Sequence, residues 1–201
     1  MHQEYKVFKK HLIFIWFYTI IYSEYLYAHI PKGEERIPYM ERVSKHNYYL
    51  DIAETVAERS TCLRKKYGAI IVKDDSIIST GYNGAPRGRQ NCSDLNFCMR
   101  EKLQIPRGER YELCRAVHSE ANAIIAAPRD QMLGATLYMA CVSPTDGSLV
   151  SGVTSCMMCK RMVINAGIAK VVLRDTKDEY RIVDVNDWID DDDSMSGKFG
   201  Y

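Results

Sequence analysis

The chain has 201 residues, with 27 basic and 26 acidic side chains and a formal net charge of +1. This length suits one domain with its own core, and 46% hydrophobic residues are ordinary for a globular protein. The near-zero net charge gives no support to a nucleic-acid-binding protein, although residues 40–183 hold 21 basic and 16 acidic side chains. That excess suits a small anionic substrate, but it is also common in proteins that bind no anion.

The chain contains seven cysteines, at positions 62, 92, 98, 114, 141, 156 and 159. An odd number, together with a C-x-x-C and a His-x-Glu, favours metal ligands and reduced thiols over a disulfide framework. Reduced thiols point to the cytoplasm. Cys141 lies inside an apolar run, where a buried small hydrophobic residue is the simpler interpretation.

Residues 1–39 differ from the rest of the chain. Residues 12–22 form an apolar, aromatic run of 11 residues, which is short for a membrane span of about 20. A signal peptide would explain the basic residues before it, but no small-x-small cleavage site follows. A third interpretation is that translation starts at Met40. We predict that 1–39 is an extension outside the native fold and that the domain occupies residues 40–186.

The first half of the domain is predicted to begin with a helix at 47–59, because Leu50, Ala53 and Val56 share one face. Ser44 or Asn47 would cap this helix. Two short β-branched runs, 68–73 and 76–81, predict a hairpin. The loop 81–88 then has three Gly and one Pro in eight residues, which indicates unusual backbone angles.

The remaining elements follow a long connection at 89–116. In chain order we predict a helix at 119–127 ended by Pro128, a strand at 136–142, a turn-rich segment at 143–155, a helix at 156–166 capped by Gly167, strands at 170–174 and 180–185, and an acidic, unstructured tail at 187–201. Helices and strands therefore alternate through the domain, and this order indicates an α/β layered sheet.

One combination of residues carries chemistry: His118-Ser119-Glu120, followed downstream by Cys156-Met157-Met158-Cys159. One His and two Cys give zinc three nitrogen and sulfur ligands, and three protein ligands with an open fourth position are typical of catalytic sites. Cys156 and Cys159 are spaced to lie on one side of a helix, so both thiols can reach one ion. Each half is weak evidence alone, but the two together, each opening a predicted helix, are strong evidence.

Glu120 lies two residues from the His, where it can handle a proton of a reacting water. The pattern H-x-E followed by C-x-x-C is the signature of zinc-dependent nucleobase deaminases. The predicted reaction is therefore hydrolytic deamination, with His118, Cys156 and Cys159 as zinc ligands and Glu120 as the catalytic acid and base. A helix N-terminal Glu that only complements the helix dipole is the alternative for Glu120.

Residues 40–183 resemble the deoxycytidylate (dCMP) deaminases of the cytidine-deaminase-like superfamily. The matching stretches are 59–64, 68–72, the loop 81–88, 114–124, and 156–159 with 164–168. The resemblance implies a three-layer αβα sandwich around a five-stranded mixed sheet. It also implies conversion of dCMP to dUMP and ammonia, a step towards thymidylate, and a homo-oligomer, often a hexamer, regulated by dCTP and dTTP. No stable nucleic-acid or membrane partner is expected.

The resemblance also assigns residues outside the zinc motif. Asn83 matches the asparagine expected to contact the sugar of the substrate. Four further cysteines could hold a second, structural zinc, with buried or free thiols as a close alternative; they are Cys62, Cys92, Cys98 and Cys114. The candidates for the phosphate are Arg64, Arg87, Arg89 and Arg115, because Arg can bind phosphate bidentately.

Two departures from the family pattern are visible. Ser155 stands where a Pro usually precedes the first Cys, and we expect its side chain to cap the helix instead. The segment 143–155 is longer than in many relatives, which would reshape the rim of the site.

Two classes of alternative stay open. The chain could deaminate free cytosine, guanine or a tRNA adenosine, although a tRNA enzyme would be expected to carry a stronger basic surface. It could also be a zinc-stabilised nucleic-acid-binding module, which only the cysteine cluster and the Arg-rich middle support.

Overall fold

The fold is that of a computed structural model, which describes residues 42–106 and 108–192. Its elements in chain order are α1 (Lys45–Glu58), β1 (Lys66–Lys73), β2 (Ser76–Tyr82), α2 (Cys92–Leu95), α3 (Met99–Lys102), a 3-10 turn (Tyr111–Leu113), α4 (Ser119–Ile125), α5 (Arg129–Met132), β3 (Thr136–Val142), α6 (Met157–Ala166), β4 (Lys170–Arg174), β5 (Tyr180–Asp184) and α7 (Val185–Asp190). The extension at 1–39 and the start at Met40 lie outside the described residues.

The five strands form one sheet in the order β2-β1-β3-β4-β5. Strands β1 and β2 pair antiparallel, as do β1 with β3 and β4 with β5, whereas β3 and β4 run parallel. The parallel pair is connected through α6, as a crossover requires. The predicted five-stranded mixed sheet is confirmed.

Alternating residues of the central strands point to two separate hydrophobic clusters. In β1, Ile71 belongs to one cluster with Ala123 of α4 and Val163 of α6. Its neighbour Ile70 belongs to the other cluster, with Leu50 of α1. Because strand side chains alternate between the faces of a sheet, α1 covers one face while α4 and α6 cover the other. The protein is therefore an αβα sandwich, as predicted.

Two glycines allow helices to lie very close to the sheet. A Cβ at Gly68 would lie 2.0 Å from the carbonyl oxygen of Ala53 in α1. A Cβ at Gly81 would lie 2.3 Å from the carbonyl oxygen of Ser119 in α4. Any larger residue at Gly81 would therefore displace the helix that follows His118. The side chain of Asn122 also donates to the carbonyl oxygen of Tyr82 at 2.7 Å, which ties α4 to β2.

The predicted elements all form, and Ser44 and Gly167 cap α1 and α6 as expected. The structure adds short helices that periodicity could not indicate, because each has only one turn. The connection 89–116 contains α2, α3 and the 3-10 turn, and α5 begins directly after Pro128. The helix predicted to reach 127 ends at Ile125.

The predicted tail begins later than residue 187. Helix α7 runs from Val185 to Asp190, where a carboxylate of Asp184 accepts from the backbone N–H of Asn186. Val185 is buried and Trp188 packs against the core. The prediction was wrong for residues 187–190, because the acidic side chains around Trp188 suggested a solvated segment, whereas its ring packs against the core. Residues 193–201 lie outside the described part of the chain.

Membrane insertion finds no support in the described residues. Within 42–106 and 108–192, no helix combines the length and the apolar character that a membrane crossing requires.

Candidate active site

The predicted metal ligands converge at the starts of two helices. His118 is the N-cap residue of α4, and Cys156 is the N-cap residue of α6. The Nδ1 atom of His118 lies 3.3 Å from the Sγ of Cys156 and 3.4 Å from the Sγ of Cys159. These ligand atoms all lie within 4.8 Å of one another, and no other such group of three or more occurs in the described residues. The sequence prediction for the three ligands agrees with this geometry.

The donor set fits zinc. Zinc bonds of about 2.0 Å to nitrogen and 2.3 Å to sulfur place tetrahedral ligand atoms roughly 3.5 Å apart, close to the separations from His118 Nδ1. Cys159 is fully buried and Cys156 nearly so, while His118 is only partly buried. One nitrogen and two sulfurs give three protein ligands, the number that is typical of a catalytic zinc site with an open fourth position.

Local hydrogen bonds favour a thiolate at Cys156. The Cys159 thiol and, after it, the His118 ring lower the pKa of Cys156 through hydrogen bonds to its sulfur. The backbone N–H of Cys159 also donates to Cys156 Sγ at 3.4 Å. The pKa of Cys159 is raised by its hydrogen bond with Cys156 and by burial. A thiolate is the form of cysteine that binds metal ions, so a lowered pKa at Cys156 suits a cation site.

Glu120 follows His118 by two residues, in the first turn of α4. Only 4% of its surface is exposed, and the hydroxyl of Ser119 donates to its Oε2 at 3.0 Å. A hydrogen bond from a fixed neighbour holds the carboxylate in one orientation. Glu120 shares a cavity wall with His118 and Cys156, so its carboxylate faces the same space as the metal ligands.

That space is a cavity of about 380 Å³. Its volume is within the range of roughly 300–1,000 Å³ that is typical of small-molecule sites. Four stretches contribute most of its walls: the end of α1 to β1, the connection with α2 and α3, the residues around His118, and the segment 143–156. Ser143, Pro144, Thr145 and Thr154 line it, so the turn-rich segment 143–155 does form part of its rim.

Comparison with known proteins also indicates a zinc-binding site in this part of the chain. Residues 43–174 match the family model described as the cytidine and deoxycytidylate deaminase zinc-binding region. The chain belongs to this family. The resemblance noted from the sequence is thereby confirmed, and His118, Cys156 and Cys159 are positioned as a possible zinc site within the matched region.

Several individual relatives are named deoxycytidylate deaminase, and the chain is moderately identical to them in sequence. The chain is 37% identical over 138 residues to the deoxycytidylate deaminase of Mycobacterium phage D29, covering 66% of this chain and 96% of the phage protein. It is 28% identical over 148 residues to the deoxycytidylate deaminase of Schizosaccharomyces pombe, covering 74% of this chain but only 42% of the yeast protein. The apo crystal structure of dCMP deaminase from cyanophage S-TIM5 aligns with 27% identity and a TM-score of 0.45, covering 66% of this chain and 84% of that one.

Within this deaminase domain, Asn83 lines the cavity but is already well bonded. Its Oδ1 accepts from the hydroxyl of Ser60 at 2.6 Å and from the backbone N–H of Tyr67 at 2.8 Å. Its Nδ2 donates to the carbonyl oxygen of Lys65 at 2.9 Å. One amide hydrogen is left for a ligand, since Nδ2 carries two. Contact with the substrate sugar therefore stays a prediction, and Asn83 also holds the loop in place.

The four candidate phosphate ligands separate into two pairs. Arg64 and Arg115 line the cavity, whereas Arg87 and Arg89 are exposed and do not. The Nε of Arg64 lies 3.5 Å from Glu101, and the Nε of Arg115 donates to the carbonyl oxygen of Gln90 at 2.8 Å. Sequence reasoning could not separate these pairs, because the distinction depends on how the connection folds back over the site.

The four cysteines predicted as ligands of a second zinc lie on the cavity wall, but not at metal-ligand spacing. Cys62, Cys92, Cys98 and Cys114 all line the cavity. Burial raises the pKa of Cys92 and of Cys114, and the nearby Cys62 thiol raises both further. No three of the four sulfurs lie within 4.8 Å of one another. The donors suit a structural zinc chemically, and the second zinc stays a prediction from the sequence.

Ser155 does not act as predicted. The N-cap of α6 is Cys156, whose sulfur accepts from Cys159. Ser155 is fully buried and its Oγ has no hydrogen-bond partner among the described residues. The expected cap fails because the helix starts one residue later, at a side chain that also serves as a metal ligand.

Three cavity residues were missed by sequence reasoning: Tyr67, Arg100 and Tyr111. Burial, followed by the neighbouring Cys141, raises the pKa of Tyr67, whose ring lies at the start of β1. Arg100 and Tyr111 could not be singled out from the sequence, because both lie in the long connection at 89–116, which has no clear periodicity. The 3-10 turn and the burial of Arg100 are visible only in the structure.

Proposed function

We propose that this chain hydrolyses dCMP to dUMP and ammonia. The observation that carries the proposal is the arrangement of His118, Cys156 and Glu120 on one cavity of about 380 Å³, with Arg64 and Arg115 on its wall. The similarity to relatives named deoxycytidylate deaminase supports the same substrate. Arg64 and Arg115 favour an anionic nucleotide over a neutral base or nucleoside.

Each residue has a defined task in this reaction. His118, Cys156 and Cys159 would hold zinc, which supplies Lewis-acid chemistry that activates water near neutral pH. Glu120 accepts a proton of the attacking water and delivers it to N3 of the cytosine ring. It then transfers the second proton to the exocyclic amine, which leaves as ammonia while oxygen stays on C4. Ser119 holds the carboxylate in place for both transfers.

The substrate is tested by ammonia release from dCMP, deoxycytidine, cytosine and guanine. We expect dCMP to have the highest kcat/KM. Turnover of cytosine, guanine or the nucleoside with none of dCMP would contradict the proposal. A tRNA substrate added to the same assay covers the adenosine alternative, and a chain that binds nucleic acid but releases no ammonia would favour the binding module.

The phosphate contact is tested by Arg64→Ala and Arg115→Ala. Loss of a charge-assisted hydrogen bond costs about 1.5–3 kcal/mol, which is roughly a 10- to 100-fold rise in KM for dCMP. The matched control is Arg87→Ala, because Arg87 is exposed and lies outside the cavity lining. Equal losses with dCMP and deoxycytidine would argue against a phosphate contact.

Assembly, regulation and location go beyond the site. Homo-oligomers including hexamers, and control by dCTP and dTTP, are expectations from the family resemblance and stay predictions. We also propose a cytoplasmic location, which is supported by the seven free cysteines. Light scattering with and without dCTP or dTTP tests assembly and its regulation together.

A further inference from the structure

We propose that Arg100 and Tyr111 are positioning residues that fix the orientation of the His118 ring. The inference rests on the proposed function only in that the site binds zinc. Its basis is a chain of contacts that begins at a buried guanidinium and ends at a metal ligand.

Arg100 is buried without a carboxylate partner. Only 4% of its surface is exposed, and no carboxylate of the described residues lies within ion-pair distance of it. Its two terminal nitrogens instead donate to backbone carbonyl oxygens, of Arg110 at 2.9 Å and of Pro106 at 2.8 Å. A buried charge is costly unless its donors are satisfied, and these two hydrogen bonds satisfy one donor on each terminal nitrogen. Those contacts draw the connection into a closed turn around the guanidinium.

The guanidinium also covers the ring of Tyr111, with its central carbon 4.6 Å from the ring centroid. Cations prefer this position over an aromatic face, and burial strengthens the attraction. Tyr111 is part of the 3-10 turn just after Arg110. Arg100 therefore fixes both the backbone before Tyr111 and the ring of Tyr111 itself.

The Tyr111 ring in turn meets the His118 ring. The two centroids lie 4.9 Å apart with the planes at 90°, a preferred edge-to-face geometry for aromatic pairs. The His118 Nδ1 faces both cysteine sulfurs, so rotation of the ring would move it away from them. Tyr111 opposes that rotation. The backbone pairing of Gly84 with Val117 fixes the chain just before His118, and Tyr111 fixes the side chain.

Groups that orient a ligand typically contribute 10- to 100-fold to metal affinity. We therefore expect Tyr111→Leu to weaken zinc binding at least about 10-fold in a chelator competition assay. The visible absorption of the cobalt-substituted protein should change as well, because it reports the ligand geometry. Tyr111→Phe keeps the ring and should bind zinc within about 2-fold of wild type, and Arg100→Lys should lie between the two.

The matched control is Phe97→Leu. Phe97 also has a cation over its ring, Lys102 at 5.7 Å, and it lies in the same connection, but it is exposed and outside the cavity. This variant should keep wild-type zinc affinity and cobalt spectrum. It shows how the loss of an aromatic ring from the connection changes zinc affinity and the cobalt spectrum when that ring does not contact His118.

Wild-type zinc affinity and an unchanged cobalt spectrum in Tyr111→Leu would overturn the proposal, as would equal losses in Tyr111→Phe and Tyr111→Leu. If Tyr111→Leu does not fold, Arg100→Lys decides by the same two measurements. Neither measurement needs a substrate. A wild-type chain that does not deaminate dCMP would therefore refute the proposed function and leave this test intact.

Discussion

The donor groups of two buried arginines are satisfied in different ways. Arg174, at the end of β4, is 1% exposed and pairs with Asp51 at 2.5 Å and Glu54 at 2.7 Å, both on α1. Arg100, in the connection beside the active site, pairs with no carboxylate in the described residues and relies on two carbonyl oxygens and a tyrosine ring.

The difference separates a structural region from a functional one. On the α1 side, charge is compensated within the core, so the arrangement needs nothing from outside. On the active-site side, a net positive charge lies near a cavity that is proposed to take an anion and a metal. The groups that contact the Arg100 guanidinium directly are neutral: two backbone carbonyl oxygens and the Tyr111 ring.

The largest loss of stability is expected in the connection at 89–116, which has little hydrophobic core of its own. If Cys62, Cys92, Cys98 and Cys114 hold a second zinc, the purified protein contains two zinc ions per chain. Cys92→Ser should then reduce this to one and unfold the connection, since structural zinc sites contribute about 10 kcal/mol or more to folding. Elemental analysis measures the ratio.

The four sulfurs would have to move to about 3.8 Å from one another to bind that ion. One zinc per chain in the wild type, unchanged in Cys92→Ser, would remove the second site. Arg100 and its carbonyl partners would then be the main support of the connection.

Arg174→Met should destabilise the α1 side by about 3 kcal/mol, because it leaves two carboxylates without their buried partner. Urea unfolding measures the loss, and kcat/KM of the folded protein should be unchanged. Lys177→Met is the control: Lys177 contacts the same two carboxylates but is 65% exposed, so less than about 1 kcal/mol is expected. A fall in kcat/KM for Arg174→Met would break the distinction between the two regions.

Ser155→Ala should stabilise the protein by about 1 kcal/mol, because a buried hydroxyl without a partner costs about that much or more. Ser79→Ala should destabilise the protein by about 1 kcal/mol, because the Ser79 hydroxyl donates to the carbonyl oxygen of Ala123 at 2.8 Å. Thermal unfolding of both variants gives the comparison. Equal destabilisation would mean that Ser155 has a partner in solution, such as an ordered water.

The smallest change in stability is expected at Asp175, which holds the segment 143–155 at the rim of the cavity. Asp175 accepts from the backbone N–H of Gly152 and pairs with Arg181 at 2.6 Å, which lowers its pKa. A lowered pKa means that the stabilisation is present at neutral pH and is lost as the pH falls below about 4. Asp175→Asn should therefore cost about 0.5–1 kcal/mol at pH 7, and the difference from wild type should shrink as the pH falls below about 4. A difference that stays constant or grows as the pH falls below about 4 would contradict this assignment.

The sequence was most informative about the candidate metal site, where the chemistry of one ion restricts a few residues. His118, Glu120, Cys156 and Cys159 could be assigned because zinc chemistry restricts both residue types and spacing. The strands could also be predicted, because short β-branched runs such as the one that contains Ile70 and Ile71 favour strands. The connection could not be predicted, because Arg100, Tyr111 and the phosphate candidates acquire their roles only through contacts between segments that are far apart in the chain.

The central claim is that the three metal ligands and Glu120 perform separate tasks at one site. The most direct test is the rate of dCMP deamination per bound zinc in wild type and Glu120→Gln. We predict that Glu120→Gln retains wild-type zinc at the His118 site and that its rate per zinc falls about 10²- to 10⁴-fold. A rate per zinc equal to that of wild type would contradict the account.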